Sequence, residues 1–108
     1  QKKTNQILKK QIEKGLKSIK NKSKIIIAYE PVWSIGTGVI PKEADLNKTI
    51  SFIKSRFVKK YPKILYGGSV NTNNVSILKK IPSIDGFLIG GASQNPKKFI
   101  DIIKKTIN

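Results

Sequence analysis

The chain has 108 residues, 22 Lys and Arg against 6 Asp and Glu, a formal net charge of +16, and 38% apolar residues. That length accommodates one modest domain. Without Cys there is no disulfide scaffold or thiolate metal site, and without His these residues alone build no zinc site, Ser–His triad or imidazole base. No run of about 18 apolar residues predicts a membrane-spanning helix, and no charged-then-apolar leader is seen. Methionine is absent even at position 1, so the chain is expected to be a piece of a longer one.

From Thr4 to Lys20, Ile7, Leu8, Ile12, Leu16 and Ile19 recur at helical spacing and predict one amphipathic helix. After a polar break at 21–24, the apolar, β-branched run Ile25–Tyr29 predicts a strand buried on both faces, as in parallel sheets. The Gly-rich stretch Pro31–Gly38 follows. Leu46, Ile50, Ile53 and Phe57 mark a second helix, with Pro41 before it and Glu43 and Asp45 in its first turn, where the helix dipole favours carboxylates. Lys63–Tyr66 reads as a second strand running into Gly67, Gly68 and Ser69, and a short helix is expected from Thr72 to Lys80 with Val75 and Leu78 inward. Asp85–Ile89 reads as a third strand running into Gly90 and Gly91. Asn95 then caps a last helix with Pro96 at its first position and Phe99, Ile100, Ile103 and Ile107 as its inward face. The order α–βα–βα–βα is that of a parallel α/β layout, without a linker that would divide it.

The charge invites a nucleic-acid reading, because lysines release counterions from phosphate backbones. Yet 21 of the 22 basic residues are Lys and only Arg56 is Arg, whereas base readers favour arginine forks. Lys, Ile and Asn make up 48 of the 108 residues, the excess that A/T-rich codons produce. Pairs such as Lys9-Lys10, Lys59-Lys60 and Lys104-Lys105 fall on expected polar helix faces. The expectation is no nucleic acid and no membrane partner. Attraction of a small anionic substrate is a milder use of the charge.

Active sites of parallel α/β folds gather at the carboxyl ends of strands. Glu30 is the only acidic residue adjoining such an end. Flanked by Tyr29 and Trp33, it is either a partly desolvated general base or a solvent-exposed loop carboxylate. The pairs Gly36/Gly38, Gly67/Gly68 and Gly90/Gly91 follow three successive strands, with Ser69 beside one. They bring backbone N–H groups to one phosphate, or they simply make tight turns. No G-x-G-x-x-G or P-loop is present, so no nucleotide site is indicated. Stiff Pro31-Val32-Trp33, small Ser34 to Gly38 and stiff Val39-Ile40-Pro41 describe either a hinged lid or an ordinary long loop.

Together, Ala28–Gly38 (AYEPVWSIGTG), Tyr66–Val70 (YGGSV) and Asp85–Ser93 (DGFLIGGAS) resemble the strand-end motifs of triosephosphate isomerase, in that family's order and over essentially the whole chain. The resemblance implies the C-terminal part of a TIM (βα)8 barrel, with three βα units preceded by one helix, and residues 1–108 as one partial domain. It implies Glu30 as the base that moves a proton between the two carbons of a phosphorylated triose through an enediolate. It implies Gly36, Ser69, Gly90 and Gly91 as phosphate-binding positions. Pro31, Val32, Trp33, Ser34, Ile35, Thr37 and Gly38 would form the lid, with Tyr66 helping to hold it closed. Pro41, at the trailing hinge, has no N–H to offer a latch. No cofactor and no metal are implied, and the intact family member is expected to be a cytoplasmic homodimer of glycolysis and gluconeogenesis. The barrel's typical length of about 250 residues implies roughly 140 residues ahead of these. The family's substrate-binding lysine and electrophilic histidine would lie there, so the fragment alone is expected to be inactive. The alternatives are a non-catalytic remnant, one half of a split enzyme, or, distantly, a basic nucleic-acid-binding module.

Overall fold

The computed structural model describes residues 2–21, 24–31, 34, 36–57 and 62–107. In chain order it contains α1 (Lys2–Gly15), β1 (Ile26–Tyr29), α2 (Glu43–Ser55), β2 (Lys63–Gly67), α3 (Val75–Leu78), β3 (Gly86–Leu88), a 3-10 turn (Gly91–Gln94) and α4 (Pro96–Ile107). The three strands form one parallel sheet in the order β1-β2-β3. Each is joined to its neighbour through a helix, as parallel pairing requires.

Register sorts the side chains into two layers. Ala28 stands opposite Leu65 and Tyr29 opposite Tyr66, while Leu65 stands opposite Gly86 and Gly67 opposite Leu88. Ile27, Tyr29, Ile64, Tyr66 and Phe87 therefore share the face covered by helices. Ile64 and Tyr66 are fully buried there with Leu46, Ile50 and Ile53 of α2, Val75 and Leu78 of α3, and Ile102 of α4. Leu8 and Ile12 bring α1 onto the same core. The opposite layer carries Ile26, Ala28, Leu65 and Leu88, and there Ile26 is 65% exposed and Leu88 43%. The expectation of a first strand buried on both faces is thus corrected. β1 lies at a sheet edge, and no described residue covers its second face.

Two helix boundaries and the buried face of one helix also differ from expectation. α1 stops at Gly15 rather than Lys20, where glycine disfavours helix continuation, and a bend follows with Ile19 N–H on Leu16 O. α3 starts at Val75, not Thr72; residues 72–74 form a separate turn, closed by Val75 N–H on Asn71 O at 3.1 Å and capped by the Asn71 and Asn74 side chains. Asn71 Oδ1 accepts the N–H of Asn73 (2.8 Å) and of Asn74 (3.0 Å), and Asn74 Oδ1 accepts that of Asn71 (2.9 Å). In α4, Asn95 caps as expected, with Lys98 N–H on its Oδ1 at 3.1 Å. The buried residue there is Ile102, however, and Ile100, Ile103 and Ile107 are 51%, 41% and 78% exposed. The helix carries two apolar stripes, and of its residues the core takes Ile102, while Phe99 beside it is half-buried. Lys59-Lys60 lies outside the described residues.

Polar ties fix the layers. Asp85 N–H donates to Ile64 O (2.9 Å) while Asp85 Oδ2 accepts Ile64 N–H (2.8 Å) and pairs with Lys54 Nζ (3.2 Å), which locks β2 to the approach of β3 and to α2. Lys79 Nζ donates to Lys105 O (2.7 Å), and Lys105 Nζ donates to Thr72 O (2.9 Å), stitching α3 to α4.

Candidate active site at the strand ends

The carboxyl ends of all three strands open onto one cleft of about 390 Å3, lined by Glu30, Gly36, Gly38, Gly68, Ser69, Val70, Leu88, Gly90 and Gly91 among others. Of the expected site residues, Glu30, Gly36, Gly38, Ser69, Gly90 and Gly91 meet here, although Glu30 and Gly90 are far apart in sequence, whereas Pro31, Ser34, Thr37 and Tyr66 do not line the cleft.

Glu30 directly follows β1. Its side chain lies across Gly67 at the end of β2: a methyl group at Gly67 would stand 2.9 Å from Glu30 Cγ and 3.3 Å from Cδ and Oε2. The bare backbone of Gly67 is what admits the carboxylate to the cleft. Glu30 remains solvent-exposed. Among the described residues none covers that layer of the sheet, and Trp33, the other residue expected to flank Glu30, lies outside them.

Gly36 and Gly38 sit in the loop between β1 and α2 and line the cleft wall. Ser69 holds that loop from β2's side. Its hydroxyl accepts Gly38 N–H at 2.8 Å and donates to Ser34 O. Ser69 itself adopts φ +57 after Gly68 at φ +134, a left-handed pair that turns the chain sharply over the cleft. Asn74 Nδ2 (2.7 Å) and Asn71 Nδ2 (3.3 Å) donate to Ser69 O and secure that turn. Gly90 and Gly91 open the 3-10 turn after β3 on the opposite wall, where Ser93 N–H bonds Gly90 O at 2.9 Å.

Of the expected lid, Pro31 and Ser34 are buried, and Thr37 is exposed with its hydroxyl on Ser34 O at 3.2 Å. Val32, Trp33 and Ile35 lie outside the described residues. Tyr66 is fully buried, and its hydroxyl donates to Gly68 O at 3.0 Å. Burial pushes the Tyr66 phenol up, and the hydrogen bond with Ser34 partly offsets it. Burial likewise raises Tyr29, and the neighbouring Tyr66 adds to it.

Two site features escaped the sequence. The role of Gly67 as a seat for Glu30 depends on strand register. Ser34, read as a small and flexible lid residue, is a buried hydroxyl whose partners Tyr66 and Gly68 lie in another strand unit. No local signal carries either one.

A parallel α/β sheet with an acidic cleft residue and glycine-rich strand ends fits part of a TIM barrel. The family model described as triosephosphate isomerase matches residues 1–106. The triosephosphate isomerase of Mycoplasma mobile is 48% identical over 102 residues, covering 94% of this chain and 42% of that protein. That of Thermodesulfovibrio yellowstonii is 43% identical over 108 residues, covering 94% of this chain and 44% of its own. That of Dictyostelium discoideum is 51% identical over 92 residues, with 79% of this chain and 36% of its own covered. The chain belongs to the triosephosphate isomerase family, and it spans about two-fifths of the length of the first two of these relatives.

Proposed function

We propose that this chain supplies the proton-transferring carboxylate and most of the phosphate cradle of a triosephosphate isomerase, as the C-terminal three βα units of its barrel. The observation that carries the reading is the single cleft in which the Glu30 carboxylate, seated on Gly67, faces Gly36, Ser69, Gly90 and Gly91. A carboxylate at that point can take a proton from the carbon next to the carbonyl of dihydroxyacetone phosphate, leaving an enediolate. It then returns the proton to the neighbouring carbon to give glyceraldehyde 3-phosphate. Backbone N–H groups around the cleft would hold the phosphate without themselves ionising. Loop residues Pro31 to Gly38, with Tyr66, would exclude water while the enediolate exists. The groups that polarise the carbonyl would come from other parts of the barrel. The intact protein would work as a cytoplasmic homodimer in glycolysis and gluconeogenesis.

In the full-length polypeptide carrying residues 1–108, Glu30→Gln should lower kcat by about 10²- to 10⁴-fold with a smaller change in KM. A kcat near that of the parent would remove Glu30 from this role. The uncovered layer at Ile26 and Leu88 is one that the remaining strands of a barrel would cover, whether they belong to the same polypeptide or to a separately encoded half. Co-expression of 1–108 with the N-terminal part of a relative, followed by a triose phosphate assay, separates that from a remnant.

A further inference from the structure

Among the described residues, Ser69 is the one residue other than glycine with a positive φ, at +57. An L side chain enters that region only against a steric penalty, so its surroundings have to hold it there. Asn74 is placed to do so. It is 8% exposed, it does not line the cleft, and both ends of its amide are engaged. Nδ2 donates to Ser69 O at 2.7 Å, and Oδ1 accepts Asn71 N–H at 2.9 Å. These two bonds bracket Val70, itself 4% exposed, and fix the direction in which the chain leaves Ser69. The grip is rooted in the core. Asn74 O accepts Ile77 N–H at 3.1 Å and Leu78 N–H at 3.0 Å, and Val75 and Leu78 are fully buried. From α4, Lys105 Nζ holds Thr72 O in the same turn at 2.9 Å. Asn71 Nδ2 also reaches Ser69 O, at a longer 3.3 Å, but Asn71 itself lines the cleft.

We infer that Asn74 is a positioning residue for anion affinity: by bonding Ser69 O it holds Ser69 in the left-handed conformation, and so sets where the Ser69 N–H and hydroxyl stand for a phosphate group in the cleft. Asn74 acts only through the backbone of Ser69. Use of the cleft by a triose phosphate rests on the isomerase reading above; the hold on Ser69 rests on the geometry. This role has a signature that a merely structural cap lacks. Glycine takes positive φ without penalty, so in a Ser69→Gly background the Asn74 amide has no conformation left to enforce. Its effect on phosphate binding should then vanish, while its effect on folding persists.

The experiment is a double-mutant cycle on the full-length polypeptide carrying residues 1–108, with inorganic phosphate as the probe and phosphorus NMR titration as the readout. Asn74→Ala should weaken phosphate binding about tenfold, the weight of one hydrogen bond, and raise KM for the triose phosphate by a similar factor with a smaller change in kcat. In the Ser69→Gly background the same substitution should change phosphate affinity by less than about twofold. If Asn74→Ala does not fold, Asn74→Asp goes through the same cycle. It keeps an acceptor for Asn71 N–H and loses the donor to Ser69 O, and its added charge acts equally in both backgrounds and cancels. Phosphate affinity unchanged by the substitution at Asn74, or an equal loss in both backgrounds, would overturn the inference. Turnover that survives Glu30→Gln would instead remove the isomerase reading, and the phosphate titrations would still decide the role of Asn74.

Discussion

Gly67 and Glu30 occupy one another's space, which makes Gly67 a sharper probe of the site than most contacts. Gly67→Ala adds a methyl 2.9 Å from Glu30 Cγ, in a backbone conformation that alanine tolerates. It should displace the carboxylate and lower kcat by about 10²-fold, with little change in thermal midpoint. Gly68→Ala is different in kind. There φ is +134 and the methyl would meet both Ser34 Oγ and Tyr66 Oη at 2.9 Å, so a stability loss of about 1–3 kcal/mol should appear in denaturant melts. Asp85 gives a pH-dependent test. Burial alone would raise its carboxyl, but the Ile64 N–H and Lys54 outweigh burial and hold it below its ordinary value of 3.8. A depressed carboxyl stabilises the fold above its unfolded pKa, and that contribution is lost as pH falls through the folded value. Asp85→Asn should therefore cost about 1–2 kcal/mol at neutral pH, and the gap from the parent should close below roughly pH 4.

The last helix shows what pattern alone settles at the scale of an element. Ile102→Ala should cost about 2–5 kcal/mol, whereas Ile103→Ala, at a site 41% exposed, should cost well under half as much. Reversed losses in urea melts would mean that the other stripe faces the core. Existence, type and order of α1, α2, α4 and all three strands were legible, because apolar period and glycine punctuation are local properties. The strand-end motifs likewise brought Glu30, Ser69 and the Gly90 pair to one site from sequence. The face of α4 was not legible, since two apolar stripes are equivalent until a neighbour chooses between them. The reciprocal capping of the turn before α3 was legible in principle, in the three-residue spacing of Asn71 and Asn74. The burial of β1 failed for a reason outside the strand: its run of isoleucines suits a two-sided environment that this stretch of chain does not supply.

Across the whole molecule, that deficit becomes a property of the surface. Ile26 and Leu88 on the open sheet layer and Ile100, Ile103 and Ile107 on α4 are exposed apolar groups, and β1 and β3 are edge strands. Isolated 1–108 should self-associate despite its charge of +16, as sedimentation would register. Ile26→Lys with Leu88→Lys should make it monomeric, while the same pair in a full-length barrel should lower its thermal midpoint. If the pair left the barrel's midpoint untouched, this layer would not be interior to it.

The register that sets Tyr29 opposite Tyr66 also gives the sheet an optical gauge. Both phenols are held above their ordinary value of 10, so they stay neutral in the fold where an unfolded chain has begun to ionise. Folding stability should accordingly decline as pH climbs through that value, since the unfolded chain has then released protons that the folded one retains. The near-ultraviolet tyrosinate signal of these two residues should therefore grow in at higher pH in the folded chain than in the unfolded one, so absorbed light reports the opening of the sheet without an added dye.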